Sequence, residues 1–121
     1  MKNKAIAAVS GVKNSGKTTL MEKLIRVLTG RGLLVRQTQG VCERDFFQAF
    51  PEADVILLEG FKDGPYPKIE VVRAGNSTAP VCDPRTLLAV ATDLPLSLDG
   101  IPVLGLDDVE VIADLILEQR R

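Results

Sequence analysis

The chain has 121 residues, 45% of them apolar, and a formal net charge of −1. That suits a single domain spanning residues 1–121 with one core, and it speaks against a general basic surface for nucleic acid or an anionic membrane. No apolar run approaches the roughly 20 residues of a membrane span, and the lack of any histidine excludes histidine-based triads and metal sites.

Met1-Lys2-Asn3-Lys4 leads directly into a strand-like run, with no secretory apolar stretch or small-residue cleavage site, so a cytoplasmic location is expected. Ala5 to Val9 is apolar without alternation, the pattern of a buried parallel strand. Gly11-Val12-Lys13-Asn14-Ser15-Gly16-Lys17-Thr18 follows, matching G-x-x-x-x-G-K-[ST]. Placed between a strand and a helix, this is a phosphate-binding loop. Gly11 and Gly16 have no Cβ to block a polyphosphate, and successive backbone N–H groups point inward. Lys17 supplies a charge for the outer phosphates, and the Thr18 hydroxyl a ligand for Mg²⁺. Thr19 opens the helix beside it. The helix is predicted from Lys17 to Thr29, with Leu20, Met21, Leu24, Ile25 and Leu28 as its apolar stripe and Gly30 and Gly32 as its stop.

Leu33–Gln37 reads as a second strand, and Glu43–Phe50 as a short helix stopped by Pro51. Asp54–Glu59 is a third strand, an apolar run bracketed by acids. Its ends lie roughly 16 Å apart, so the parallel neighbour of the phosphate-loop strand carries Glu59 to the ligand edge and Asp54 to the far edge. Glu59 is therefore the metal-side acid, or the positioner of an attacking water, while Asp54 is a turn residue. Lys62 lies three residues on, in a Gly/Pro loop at the same edge. Lys68–Arg73 alternates and predicts a half-exposed strand, antiparallel at an edge. An irregular loop, Ala74–Arg85, precedes strands at Leu87–Ala91 and Ile101–Leu104. Asp93, just past the first of these, is placed to accept the paired donors of guanine, although the usual [NT]-K-x-D context is absent. A closing helix is predicted from Asp107, with Asp107 and Glu110 forming a capping box and Arg120 and Arg121 at its negative end. Cys42 and Cys82 fit no metal spacing and read as inert, reduced thiols. The expected architecture is an α/β, three-layer, P-loop NTPase-like domain with a mainly parallel sheet and helices on both faces.

Several blocks together resemble one family. They are Gly16-Lys17-Thr18-Thr19-Leu20, Asp54 through Glu59-Gly60-Phe61-Lys62, Pro67-Lys68-Ile69-Glu70-Val71, Leu88 through Thr92-Asp93, and Asp107-Asp108-Val109-Glu110. These are similar to the molybdopterin-guanine dinucleotide biosynthesis protein B (MobB) family. The resemblance implies a GTP-binding, Mg²⁺-using, dimeric adapter that acts with a molybdenum cofactor guanylyltransferase and hydrolyses GTP weakly at best. The chain is a short form. Gln37-Thr38-Gln39-Gly40 leads almost directly to Glu43, where the family usually carries a Lys-His pair and a longer segment. Two other readings share the phosphate loop. One is a small kinase or phosphate-activating ligase with Arg73 and Arg85 as lid arginines. The other is a degenerate nucleotide-binding interaction module.

Overall fold

The computed structural model describes residues 4–12, 16–38, 50–60 and 64–120. Strand β1 (Ala5–Gly11) is followed by helix α1 (Lys17–Gly30), β2 (Val35–Thr38), β3 (Val55–Glu59) and β4 (Lys68–Val72). A 3₁₀ turn (Pro84–Thr86) then leads to β5 (Leu87–Thr92), β6 (Val103–Leu104) and helix α2 (Val109–Leu117). The six strands form one sheet in the order β2-β3-β1-β4-β5-β6, and every ladder is parallel.

Continuous apolar runs form the inner strands because a parallel sheet is covered on both faces. On one face Ala7, Val9, Leu57, Ile69, Val71 and Ala89 meet Leu20, Met21, Leu24 and Leu28 of α1 and Ile112, Ala113 and Ile116 of α2. The predicted stripe of α1 is thus its buried face, except that Ile25 is only partly buried. Arg31, just past α1, ties the two helices together through Glu110 at 2.7 Å and Asp114 at 2.8 Å. The other face carries a smaller cluster of Ala8, Ala53, Ile56 and Leu58, with Ile6, Phe50 and Tyr66 against it. Among the described residues both helices lie on the first face. The helix expected at Glu43–Phe50 falls outside the described residues apart from Phe50.

Strand β4 corrects one expectation. It is neither antiparallel nor at an edge but lies parallel between β1 and β5. The alternation that suggested half-exposure comes from Lys68 and Glu70, and both are buried. Lys68 Nζ donates to the carbonyls of Gly64 and Tyr66. The Glu70 carboxylate accepts from the N–H groups of Val81 and Cys82 at 2.7 and 3.0 Å. Paired in this way, a charged side chain tolerates a sheet interior that would otherwise exclude it. The register also explains the short β3–β4 connection. β3 begins opposite Ala5, whereas β4 begins opposite Ala8, nearer the carboxyl edge. On either side of residues 61–63, Gly60 N–H donates to the Val9 carbonyl and the Pro67 carbonyl accepts from Ala8 N–H.

The closing helix also differs. It begins at Val109 after Asp108, and no side chain caps it. The Asp107–Glu110 box does not form, because tertiary partners take both acids. Asp107 pairs with Lys23 at 2.8 Å and Glu110 with Arg31. Asp108 instead accepts from Gly105 N–H at 2.7 Å. Of the two terminal arginines, Arg121 lies outside the described residues, and Arg120 reaches Asp54 at 3.5 Å. Asp54 also accepts from Leu34 N–H at 2.7 Å, so it joins β3 to the start of β2 at the amino edge.

Candidate functional site

The carboxyl edge of the sheet gathers the ends of β1, β3, β4 and β5 around the amino end of α1. Gly11 closes β1, and Gly16 precedes α1 in the left-handed region at φ 97°, a conformation that disfavours any residue with a Cβ. No side chain caps α1. Its first amides, on Lys17, Thr18 and Thr19, have no acceptor within the helix and face outward with the positive end of the helix dipole. Lys17 is half-buried, while Thr18 and Thr19 are exposed. Within the phosphate loop Val12 is half-buried; Lys13, Asn14 and Ser15 lie outside the described residues.

Glu59 ends β3 beside Val9, its register partner on β1. Thr18 Oγ1 donates to Glu59 Oε1 at 3.4 Å. The structure thus brings together the hydroxyl and the carboxylate singled out for Mg²⁺. Both are hard oxygen donors. Magnesium typically takes one or two protein oxygens and fills its remaining positions with substrate phosphates and water, so this pair fits the ion. Ser10, the one polar residue in the β1 run before Gly11, donates through Oγ to the Gly60 carbonyl. Gly60 N–H in turn donates to the Val9 carbonyl at 3.0 Å. The segment after Glu59 is therefore stapled to β1 directly beneath the loop, a role that only the position of Ser10 in an otherwise apolar run could have signalled. Lys62 lies outside the described residues.

Beyond α1 the edge opens into a cavity of about 220 Å³. It is lined by Gly16, Thr19, Leu20 and Lys23 of the α1 side, Leu106 and Asp107 after β6, and Arg73 after β4. Asp93 sits at the same edge, exposed, and does not line this cavity. Its Oδ1 accepts from Ala74 N–H at 2.7 Å. Arg85 is held within its own turn by Asp83 at 2.7 Å, and that bond pulls the Asp83 carboxyl down to about 2. Cys82 is free and buried beside Glu70. Burial first, and then the charge of Glu70, pushes its thiol up to about 11, which keeps it protonated and unreactive near neutrality. Cys42 lies outside the described residues.

With that geometry in place, similarity to known proteins becomes informative. The family model for MobB, molybdopterin guanine dinucleotide synthesis protein B, matches residues 34–93, from the start of β2 to Asp93. The chain belongs to the MobB family. The molybdopterin-guanine dinucleotide biosynthesis adapter protein of Escherichia coli (strain K12) is 44% identical over 68 residues, 54% of this chain. That match spans 38% of the length of the E. coli protein. The structure of Bacillus subtilis MobB superposes with a TM-score of 0.72 at 23% identity, covering 97% of this chain and 98% of that one. The MobB homologue from Bacillus stearothermophilus gives a TM-score of 0.70 at 21% identity, covering 93% and 95%. At those identities the likeness establishes the fold alone, a mainly parallel sheet packed with helices. Among the described residues no helix is long and apolar enough to cross a membrane.

Proposed function

We propose that the chain is a GTP-binding adapter in molybdenum cofactor biosynthesis, assisting the attachment of GMP to molybdopterin. The observation that carries this reading is the approach of Thr18 to Glu59 beside an uncapped helix that follows a phosphate-loop sequence. Lys17 and the first amides of α1 hold the phosphates, and Thr18 and Glu59 hold Mg²⁺, which would neutralise phosphate charge. The pathway rests on family membership and on the word adapter in the name of the E. coli relative. In this reading the working form is a cytoplasmic homodimer whose partner is a molybdenum cofactor guanylyltransferase. Catalysis is at most weak GTP hydrolysis, well below the roughly 1–100 s⁻¹ of kinases. The kinase alternative loses support because one of its two lid arginines, Arg85, is engaged by Asp83 within its own turn.

Titration of GTP and ATP, each with Mg²⁺ and with EDTA, tests this reading. GTP is expected to bind more tightly than ATP, and Mg²⁺ to strengthen it. Glu59→Gln should weaken GTP about tenfold in Mg²⁺ and leave binding in EDTA nearly unchanged, since one charge-assisted ligand is lost. Absence of nucleotide binding at millimolar concentration would overturn the proposal. Base choice is assigned to Asp93, whose carboxylate retains acceptor capacity beyond the bond to Ala74. Asp93→Ala is expected to lower the GTP-over-ATP ratio by about tenfold or more, because a bidentate pair is worth ~1–3 kcal/mol; an unchanged ratio removes Asp93 from that role.

A further inference from the structure

Arg73 sits where the sheet order makes a cation informative. The strands run β3-β1-β4 at this point, so the Thr18–Glu59 pair lies on the β3 side of the phosphate loop and Arg73 on the β4 side. Arg73 Nη1 is 3.6 Å from where a Cβ on Gly16 would stand. The guanidinium therefore lies against the amino end of α1, and Arg73 is among the residues lining the cavity beyond Thr19.

Its position is built by its neighbours. The Arg73 carbonyl accepts from Asn76 and Ser77 N–H at 3.0 and 3.2 Å, and Asp93 clasps the next residue, Ala74, at 2.7 Å. The nearby acids are otherwise engaged, Asp93 by that N–H and Asp107 by Lys23 at 2.8 Å. The guanidinium has no ion pair or hydrogen bond with any described residue. A positive fork thus lies beside a positive helix end, an arrangement that a bound anion would stabilise.

We propose that Arg73 is a ligand of the nucleotide α-phosphate. This rests on the phosphate-loop reading above and adds a direction to it. In this reading the metal and outer phosphates lie toward β3, and the phosphate chain crosses the end of β1 to reach Arg73 on the β4 side. Asp93 then serves Arg73 as well, by fixing the turn that presents it.

Calorimetric titration of GTP and GDP against the wild type, Arg73→Ala, Arg73→Lys and Lys17→Ala tests the assignment. Arg73→Ala should weaken GTP and GDP by the same factor, about ten- to a hundredfold, because both carry the α-phosphate and a charged hydrogen bond is lost. Arg73→Lys should recover part of that loss, since it keeps the charge but not the fork. Circular dichroism should show all variants folded, as the Arg73 side chain is exposed. Wild-type affinity in Arg73→Ala, with binding lost in Lys17→Ala, overturns the Arg73 assignment and leaves the phosphate loop standing. Loss of GTP affinity alone, with GDP unaffected, also overturns it, by moving Arg73 to the outer phosphates. A wild-type protein that binds neither nucleotide overturns both readings.

Discussion

Lys17→Ala is expected to lose GTP affinity by about a hundredfold, roughly 3 kcal/mol, while the protein keeps its melting temperature within a degree or two. The first expectation follows from what remains at the amino end of α1 after the ammonium is removed. The amides of Lys17, Thr18 and Thr19 still point at the ligand, but the point charge for the outer phosphates is gone. The second follows from location. Lys17 is half-buried at the carboxyl edge of the sheet, outside the cluster in which Leu20, Leu24 and Leu28 are buried. Isothermal titration and thermal melting on the same sample separate the two effects. A variant that melts far below the wild type would show that Lys17 holds the fold rather than the ligand. Raising the salt concentration should weaken wild-type binding as well, because charge attraction at an exposed edge is screened.

Glu70→Ala is expected to produce the largest loss of stability, about 3–5 kcal/mol, read as a fall in the urea midpoint. Glu70 is 1% exposed, on a strand inside the sheet. Its two oxygens take the N–H groups of Val81 and Cys82, so truncation leaves two backbone donors without acceptors, that of Cys82 in a buried position. Glu70→Gln should cost less, because the amide keeps one carbonyl acceptor and turns a donor toward the second N–H. A loss below about 1 kcal/mol in Glu70→Ala, the scale of an ordinary exposed hydrogen bond, would show that the segment following Arg73 is held by something else. The same substitution connects stability to the site. Val81 and Cys82 anchor the far end of the turn that Arg73 begins, so loosening them should lower nucleotide affinity in proportion to what Arg73 contributes.

The two sides of the site were unequally legible. Gly11, Gly16, Lys17 and Thr18 stand within one short stretch, and the chemistry proposed for them depends on local backbone shape, so spacing alone points to them. Glu59 was legible for a related reason: a solid apolar run ending in an acid predicts a buried parallel strand with its acid at the edge. Arg73 was visible only as a cation beside an irregular loop, read as a lid arginine in the kinase alternative. Its approach to Gly16 depends on β4 being the neighbour of β1, a pairing between residues far apart in the chain.

The sequence by itself determined the phosphate loop, the helix behind it, the apolar strands and the acid at the end of β3. Each is written in residues close together, through the steric freedom of glycine, the 3.6-residue stripe of α1 and the unbroken apolar runs of a covered sheet. Only the tertiary structure decided that Lys68 and Glu70 are inside, that Asp107 and Glu110 pair with α1 and the residue just past it instead of capping α2, and which ends meet at the carboxyl edge. The physical reason is common to all three. A charged side chain reads as exposed until the folded chain supplies its partner, nearby carbonyls for Lys68 and residues farther along the chain for Glu70, Asp107 and Glu110, and the fold alone says which partner that is.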